Sequence, residues 1–158
     1  KGQEVPPMTQ EISRLLSSGS DQIVRAWSEK VMSDRRVQTD AQLSYVQLID
    51  HIPQIIDELK YAIATSPPEE SLKEAHKHGR QRWRQGYELK EVIRELILLR
   101  ATLLEFLETY RGAIRQHNLD QLTRAYRQIN CFIDEELYKT VEAYLEAPQQ
   151  SPVVESVV

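Results

Sequence analysis

Residues 89–110 read LKEVIRELILLRATLLEFLETY, and this stretch decides the fold class. Its apolar residues recur at spacings of three and four, which is the pattern of an amphipathic α-helix. The helix is strongly apolar, so we expect it to run through the middle of the domain and to end near Gly112. The apolar positions are Val92, Ile93, Leu96, Leu99, Leu103, Phe106, Leu107 and Tyr110.

The same three- and four-residue spacing continues through most of the 158 residues. The sequence contains no Asn-Gly or Asp-Gly hairpin signal and no sustained alternation of apolar and polar residues. It therefore predicts an all-α bundle of about six helices. The last helix is expected to be the longest, at roughly 28 residues and about 42 Å.

Capping residues, glycines and prolines set the expected helix boundaries. Pro53 is tolerated where it stands if a new helix starts immediately before it, because a proline in the first turn lacks only an N–H that has no helical partner. The expected helices run from Thr9 to Ser17, from Ser20 or Asp21 to Ser33, from a cap at Asp40 to the interruption at Pro53, from His51 or Ile52 to Ser66, from Pro68 to about Gln85, from Leu89 to Tyr110, and from Asn118 or Asp120 onward.

Both ends of the chain differ from the middle in composition. Residues 1–8 contain paired prolines and no apolar run, so we expect a flexible lead-in or an expression remnant. Residues 148–158 combine two prolines with a Val-Val-Glu-Ser-Val-Val end that has no amphipathic face, which is typical of a linker or tail. The expected helical domain is residues 9–147.

Composition excludes several classes of protein. Twenty Lys and Arg stand against 24 Asp and Glu, so the net charge of −4 does not favour nucleic acid or an anionic membrane surface. The longest aliphatic run is Leu96 to Leu99, whereas a membrane span needs about 20 apolar residues. The single cysteine, Cys131, can form no internal disulfide, which fits a reducing compartment.

No catalytic motif is visible. The sequence has no Gly-x-Ser-x-Gly elbow, and Cys131 lies on a helical face beside apolar neighbours. It has no Gly-rich phosphate loop. A di-iron helical bundle needs Glu-x-x-His on two helices, and none of the four histidines has a Glu three residues before it. The expected protein is not an enzyme and binds no metal.

A basic segment at residues 73–84 raises the possibility of an anion or nucleic-acid site. Its cationic side chains follow each other at spacings of four, three and four, so they form one stripe on a helix, and a solvated face is the favoured interpretation. The stripe consists of Lys73, Lys77, Arg80 and Arg84.

On another face of that helix, His78 and Arg82 are four residues apart. Gly86 is the expected turn, and Glu95 lies about as far after it as His78 lies before it. We therefore expect Glu95 to lean inward and to be held by His78, Arg82 or both, because a buried charge is tolerated only when it is paired. This polar clasp is favoured over a ligand site.

A cofactor-binding alternative stays open. Helical sensors can hold a haem through one histidine, which here would be His78 or His76. The alternative function is a sensor that holds haem or another small hydrophobic ligand in a pocket near His78, Trp83 and Tyr87. The favoured expectation is that no cofactor binds.

Several short motifs occur in a specific order. His78-Gly79-Arg80 is followed by Gly86-Tyr87 and by Glu95-Leu96-Ile97-Leu98-Leu99-Arg100. In this order and spacing the chain resembles the amino-terminal domain of the RsbT co-antagonist (RsbR-type) family, although Leu96 stands where the family commonly has an aromatic residue. The likeness covers about residues 9–147 and extends to Ile23, Trp27, Val31, Asp50, Ile52-Pro53 and Phe132-Ile133-Asp134.

The resemblance implies a globin-like helical module that generally lacks haem, forms dimers and precedes either a stressosome output domain or a histidine kinase core. It thus implies a cytoplasmic sensory and dimerisation domain of a bacterial signalling protein. The implied partners are a second copy of the chain and a downstream kinase or other output domain. The first helix and the exposed parts of the last helix are the expected dimer faces, and the candidate clasp or ligand residues are His78, Arg82, Glu95 and Arg100.

Overall fold

The chain folds as an all-α bundle, as its apolar spacing predicts. A computed structural model describes residues 7–65, 73–111 and 119–150, and within these ranges there are seven α-helices, one 3-10 helix and no β-strand. In chain order they are α1 (Pro7–Ser18), α2 (Ser20–Ser33), a 3-10 helix (Thr39–Gln42), α3 (Tyr45–Ile49), α4 (Ile52–Thr65), α5 (Lys73–Arg84), α6 (Leu89–Thr109) and α7 (Leu119–Gln150).

Helix α6 contributes a large part of the core. It packs against α2 and α7, and its apolar face is buried at every turn. The indole ring of Trp27 on α2 is fully buried, and its Nε1 donates a hydrogen bond of 2.9 Å to the carbonyl oxygen of Glu95. The core therefore surrounds the segment of α6 that carries the predicted clasp.

The most extensive helix pair is α5 with α7, and small residues allow their close approach. A Cβ atom at Gly79 would collide with the carbonyl oxygen of Thr140 and would lie 3.1 Å from the Cβ of Ala143. One turn earlier, the hydroxyl of Thr140 donates to the carbonyl oxygen of Ala75 at 3.2 Å. Glycine at position 79 is thus required by the α5–α7 contact and not by an unusual backbone angle.

The expected helix capped by Asp40 is wrong. Asp40 is buried within the 3-10 helix, and Ser44 caps the short helix α3 instead. The Oγ atom of Ser44 accepts from the backbone N–H of Gln47, while the side chain of Gln47 accepts from the N–H of Ser44. This reciprocal capping box satisfies two N–H groups that a helix end leaves unpaired. Helix α4 then begins at Ile52, as predicted from Pro53.

The two terminal helices extend slightly beyond their expected bounds. Helix α1 begins at Pro7, since a proline at the first helical position loses no hydrogen bond. Helix α7 continues through Pro148 to Gln150, and its 32 residues give it a length of about 48 Å. The expected helix start at Pro68, the helix end near Gly112 and most of the expected tail lie outside the described residues.

Candidate functional site: a buried ion-pair cluster

The predicted turn at Gly86 closes α5 and positions the first part of the site. Gly86 has a φ of 81°, in the left-handed region that favours glycine. Its N–H donates to the carbonyl oxygen of Trp83, and the N–H of Tyr87 donates to that of Arg82. This is the Schellman arrangement of a helix C-terminus. It places the ring of Tyr87 against Arg82, whose guanidinium carbon lies 4.8 Å from the ring centroid.

Across from this turn, Glu95 on α6 receives Arg82 in a buried ion pair. Arg82 Nε donates to Glu95 Oε2 at 2.8 Å, and the exposed fractions of the two side chains are 1% and 0%. His78 Nε2 lies 3.4 Å from the same oxygen, with 1% of its side chain exposed. The structure thus brings together the three residues of the predicted clasp: His78, Arg82 and Glu95.

Arg82 also connects the clasp to α3. Its Nη2 donates to the carbonyl oxygen of Leu48 at 2.6 Å, and its Nη1 donates to that of Gln47 at 3.3 Å and to Gln85 Oε1 at 2.7 Å. Arg82 thereby joins α3, α5 and α6, and the bond from Trp27 to the backbone of Glu95 adds α2. The cluster therefore fixes how four helices meet.

The clasp perturbs the protonation of its members. Burial alone would raise the pKa of Glu95, but the positive charge of Arg82 and the imidazole of His78 bring it below its usual value. Burial lowers the pKa of His78 despite the neighbouring carboxylate. Burial, and then the negative charge of Glu95, raise the pKa of Tyr87. At neutral pH the site holds an ionised Glu95, a cationic Arg82 and a neutral His78.

Four polar atoms in or beside the clasp are buried without a hydrogen-bond partner among the described residues. They are His78 Nε2, Glu95 Oε1, Tyr87 Oη and Gln85 Nε2. A buried unpaired polar atom costs about 1 to 3 kcal/mol, so such a group of atoms indicates a site that is not optimised for stability alone.

The other predicted site residues either lie apart from the clasp or pack against it. Arg100 donates from Nη2 to Asp134 Oδ1 on α7 at 2.6 Å, in a partly exposed pair, and does not join the clasp. Trp83 is half-buried on α5, and Tyr87 is buried. Two clefts, of about 390 Å³ and 660 Å³, open beside the loop after α2, and none of His78, Trp83 and Tyr87 lines either of them.

The sequence analysis did not predict a second group of acids, of which Glu136 is buried and Glu58 and Glu74 are half-buried. Glu136 on α7 is fully buried and faces Glu58 on α4, and Glu58 Oε1 accepts from the backbone N–H of Glu74 on α5 at 3.2 Å. A signal for Glu136 was present, because it falls on the apolar face of its helix, three residues after Ile133 and four before Thr140.

A histidine lies between the two polar groups. His51 Nδ1 is 3.4 Å from Glu74 Oε2, and its ring meets that of His78 edge to face at a centroid distance of 6.2 Å. Within the described ranges, no group of three or more His, Cys, Asp or Glu is arranged to hold a metal ion. None of the helices in those ranges combines the length and the apolar character that a membrane span requires.

Comparison with known families identifies the domain. Comparisons with curated proteins and with solved structures give no match. Residues 21–151, which are most of the chain and include both buried groups, match the family described as the RsbT co-antagonist protein rsbRD N-terminal domain. This is a family of regulatory signalling domains of stressosome type. The chain therefore belongs to the RsbT co-antagonist rsbRD N-terminal domain family.

Proposed function

We propose that this chain is the N-terminal sensory and dimerisation domain of a bacterial signalling protein, and that its output is a histidine kinase or a stressosome domain. Family membership carries the proposal. The length of α7 supports it, because a helix of about 48 Å that packs on the bundle as far as Ala147 can transmit a shift along its whole length. In this role the domain is cytoplasmic and globin-like, and it acts on its partner through the position of α7.

The contents of the clasp support a function without catalysis and without haem. Nucleophilic and acid–base catalysis need a side chain within reach of a substrate, but His78 and Glu95 are 1% and 0% exposed. A haem iron at His78 Nε2 would have to take the place of Glu95 Oε2, which lies 3.4 Å from that nitrogen in the buried site. The alternative, a sensor that binds haem or a small hydrophobic ligand, therefore requires the clasp to open.

An exposed apolar row on α7 supports the homodimer. Cys131, Tyr138 and Leu145 are spaced by seven residues, which puts them on one side of a helix, and all three are exposed. We call this row the outer stripe. The exposed fractions of Tyr138 and Leu145 are 67% and 57%, although large apolar side chains are commonly buried.

Helix α1, the other expected dimer face, gives less support. Its apolar side chains Ile12 and Leu16 are used in the core, and Glu11, Arg14 and Ser17 are exposed. A twofold contact through the outer stripe is therefore the favoured arrangement.

Native mass spectrometry of the purified chain tests this proposal. We expect a dimer without added mass, and a monomer for Tyr138→Glu, which puts a charge into the outer stripe. Tyr61→Glu is the matched control, since Tyr61 on α4 is a similarly exposed tyrosine outside the stripe. Titration with haemin should produce no Soret shift.

Three results would contradict the proposal. A wild-type monomer, or a Tyr138→Glu protein that stays dimeric, would rule out the outer stripe as the dimer contact. A stoichiometric adduct or a Soret shift that is lost in His78→Ala would favour the ligand-binding sensor instead.

A further inference from the structure

Within the described part of the chain, the buried acid of α7, Glu136, lacks the donors that an ionised carboxylate requires, and the half-buried Glu58 on α4 lacks a donor at one of its two oxygens. Glu136 is 0% exposed, and neither of its carboxyl oxygens receives a hydrogen bond from an N–H or O–H group of the described residues. Glu58 Oε2 receives none either. The two carboxyl groups are within hydrogen-bonding reach of each other.

Two adjoining carboxyl groups in a buried place do not both ionise, because each negative charge opposes the other and burial opposes both. A single proton between them removes one charge and supplies the missing hydrogen bond. Such an arrangement is a carboxyl–carboxylate pair, in which two acids share one proton.

The surrounding charges favour the protonated form. Glu74 on α5 adds a third carboxylate near Glu136, although Lys77 pairs with it at 3.0 Å and His51 lies 3.4 Å from it, and Lys139 on α7 opposes the negative charge. From α6, Arg100 is directed to Asp134. On α1, the charged residues Glu11 and Arg14 are exposed. Burial and then Glu58 raise the pKa of Glu136 to about 9, and burial also raises that of Glu58.

We propose that Glu58 and Glu136 share one proton that holds α7 against α4 and α5, and that loss of this proton at alkaline pH loosens α7 from them. We call the pair the carboxyl latch. Three helices meet in it, since Glu58 Oε1 also accepts the N–H of Glu74 at the start of α5. Removing the proton places two adjoining negative charges in the interior, and moving α7 outward hydrates them. The latch concerns this chain alone and does not depend on the proposed output domain.

Linkage gives the sign of the expected effect. The folded chain keeps a proton on the latch up to about pH 9, whereas an unfolded Glu releases it near its ordinary pKa of 4.5. Between these values the unfolded state binds fewer protons, so the stability of the fold falls as the pH rises. For one proton, the unfolding equilibrium constant rises up to tenfold per pH unit.

Urea unfolding between pH 7 and 9 tests the shared proton. We expect the unfolding constant of the wild-type chain to rise by several-fold to tenfold per pH unit, and that of Glu136→Gln to stay nearly constant, because the amide cannot titrate. Glu135→Gln is the matched control, since Glu135 is the exposed neighbour on the same helix. If Glu136→Gln does not fold, Glu58→Gln replaces it, because the new amide donates to Glu136 and reduces the pH dependence.

Amide hydrogen exchange tests the release of α7. Exchange rates of peptides from residues 130–143 are compared between wild type and Glu136→Gln at the same pH, so that chemical exchange rates cancel. We expect the ratio of the two rates to rise severalfold from pH 6.5 to 9.5 in α7, and to stay constant in α2. The latch would be overturned if the unfolding constants of wild type and Glu136→Gln changed equally with pH. It would also be overturned if the ratio of their exchange rates in α7 did not change with pH.

Discussion

The clasp makes a quantitative prediction for Glu95→Ala. The substitution removes the carboxylate that pairs with Arg82. The Arg82 side chain is only 1% exposed, so its positive charge stays buried without that partner. Removing one partner of a buried ion pair costs about 3 to 5 kcal/mol, because the other charge is left without compensation. Arg82 keeps its bonds to Leu48, Gln47 and Gln85, so we expect a loss near the lower end of that range.

Arg82→Met should cost more than Glu95→Ala. It leaves the Glu95 carboxylate buried with His78 alone, and it also removes the donor to the carbonyl oxygens of Leu48 and Gln47. Each buried acceptor that loses its donor adds about 1 to 3 kcal/mol. The double variant Glu95→Ala/Arg82→Met should lose less unfolding free energy than the two single variants lose in sum, because the two residues interact directly.

Urea unfolding followed by far-UV circular dichroism measures these free energies. Intrinsic tryptophan fluorescence adds a second signal, from Trp27, which donates to the backbone carbonyl of Glu95, and from Trp83 beside Arg82. Asp134→Ala is the control, since it breaks the partly exposed pair with Arg100 and should cost at most about 1 kcal/mol. A loss for Glu95→Ala of less than about 0.5 kcal/mol, which is the range of ordinary surface substitutions, would refute the reasoning. A loss no larger than that of Asp134→Ala would refute it as well.

Three further predictions use the same unfolding assay. Gly79→Ala should cost about 2 kcal/mol or more, because its Cβ meets the backbone of Thr140. Gly86→Ala should be limited to about 1 kcal/mol of backbone strain, and equal costs for the two glycines would contradict this. Burial depresses the folded-state pKa of His78 below its unfolded value of 6.5, so acidification below that pH should destabilise wild type relative to His78→Gln. His76→Gln is the control, and parallel pH profiles would disprove the prediction. Arg84→Ala, on the exposed basic stripe, should change stability by less than about 0.5 kcal/mol, and a larger loss would show that Arg84 is not simply solvated.

Much of the clasp could be predicted because its residues lie close together in the sequence. Gly86 separates His78 and Arg82 from Glu95 by one short turn, so helical spacing placed them at the same level. The structure does not place Arg100 with them. It lies on α6 like Glu95, but its guanidinium reaches Asp134 on α7, and only the packing of the two helices sets that partner.

The helices and most of their ends follow from local sequence alone. The spacing of apolar residues selects a helix over a strand, and local features such as Gly86 and Pro53 act within one or two turns. The tertiary structure decided where α5 meets α7 at Gly79, and that Glu58 on α4 faces Glu136 on α7. The physical reason is that the burial of a side chain and the charge beside it depend on residues distant in the chain, and helical periodicity carries no information about those distant residues.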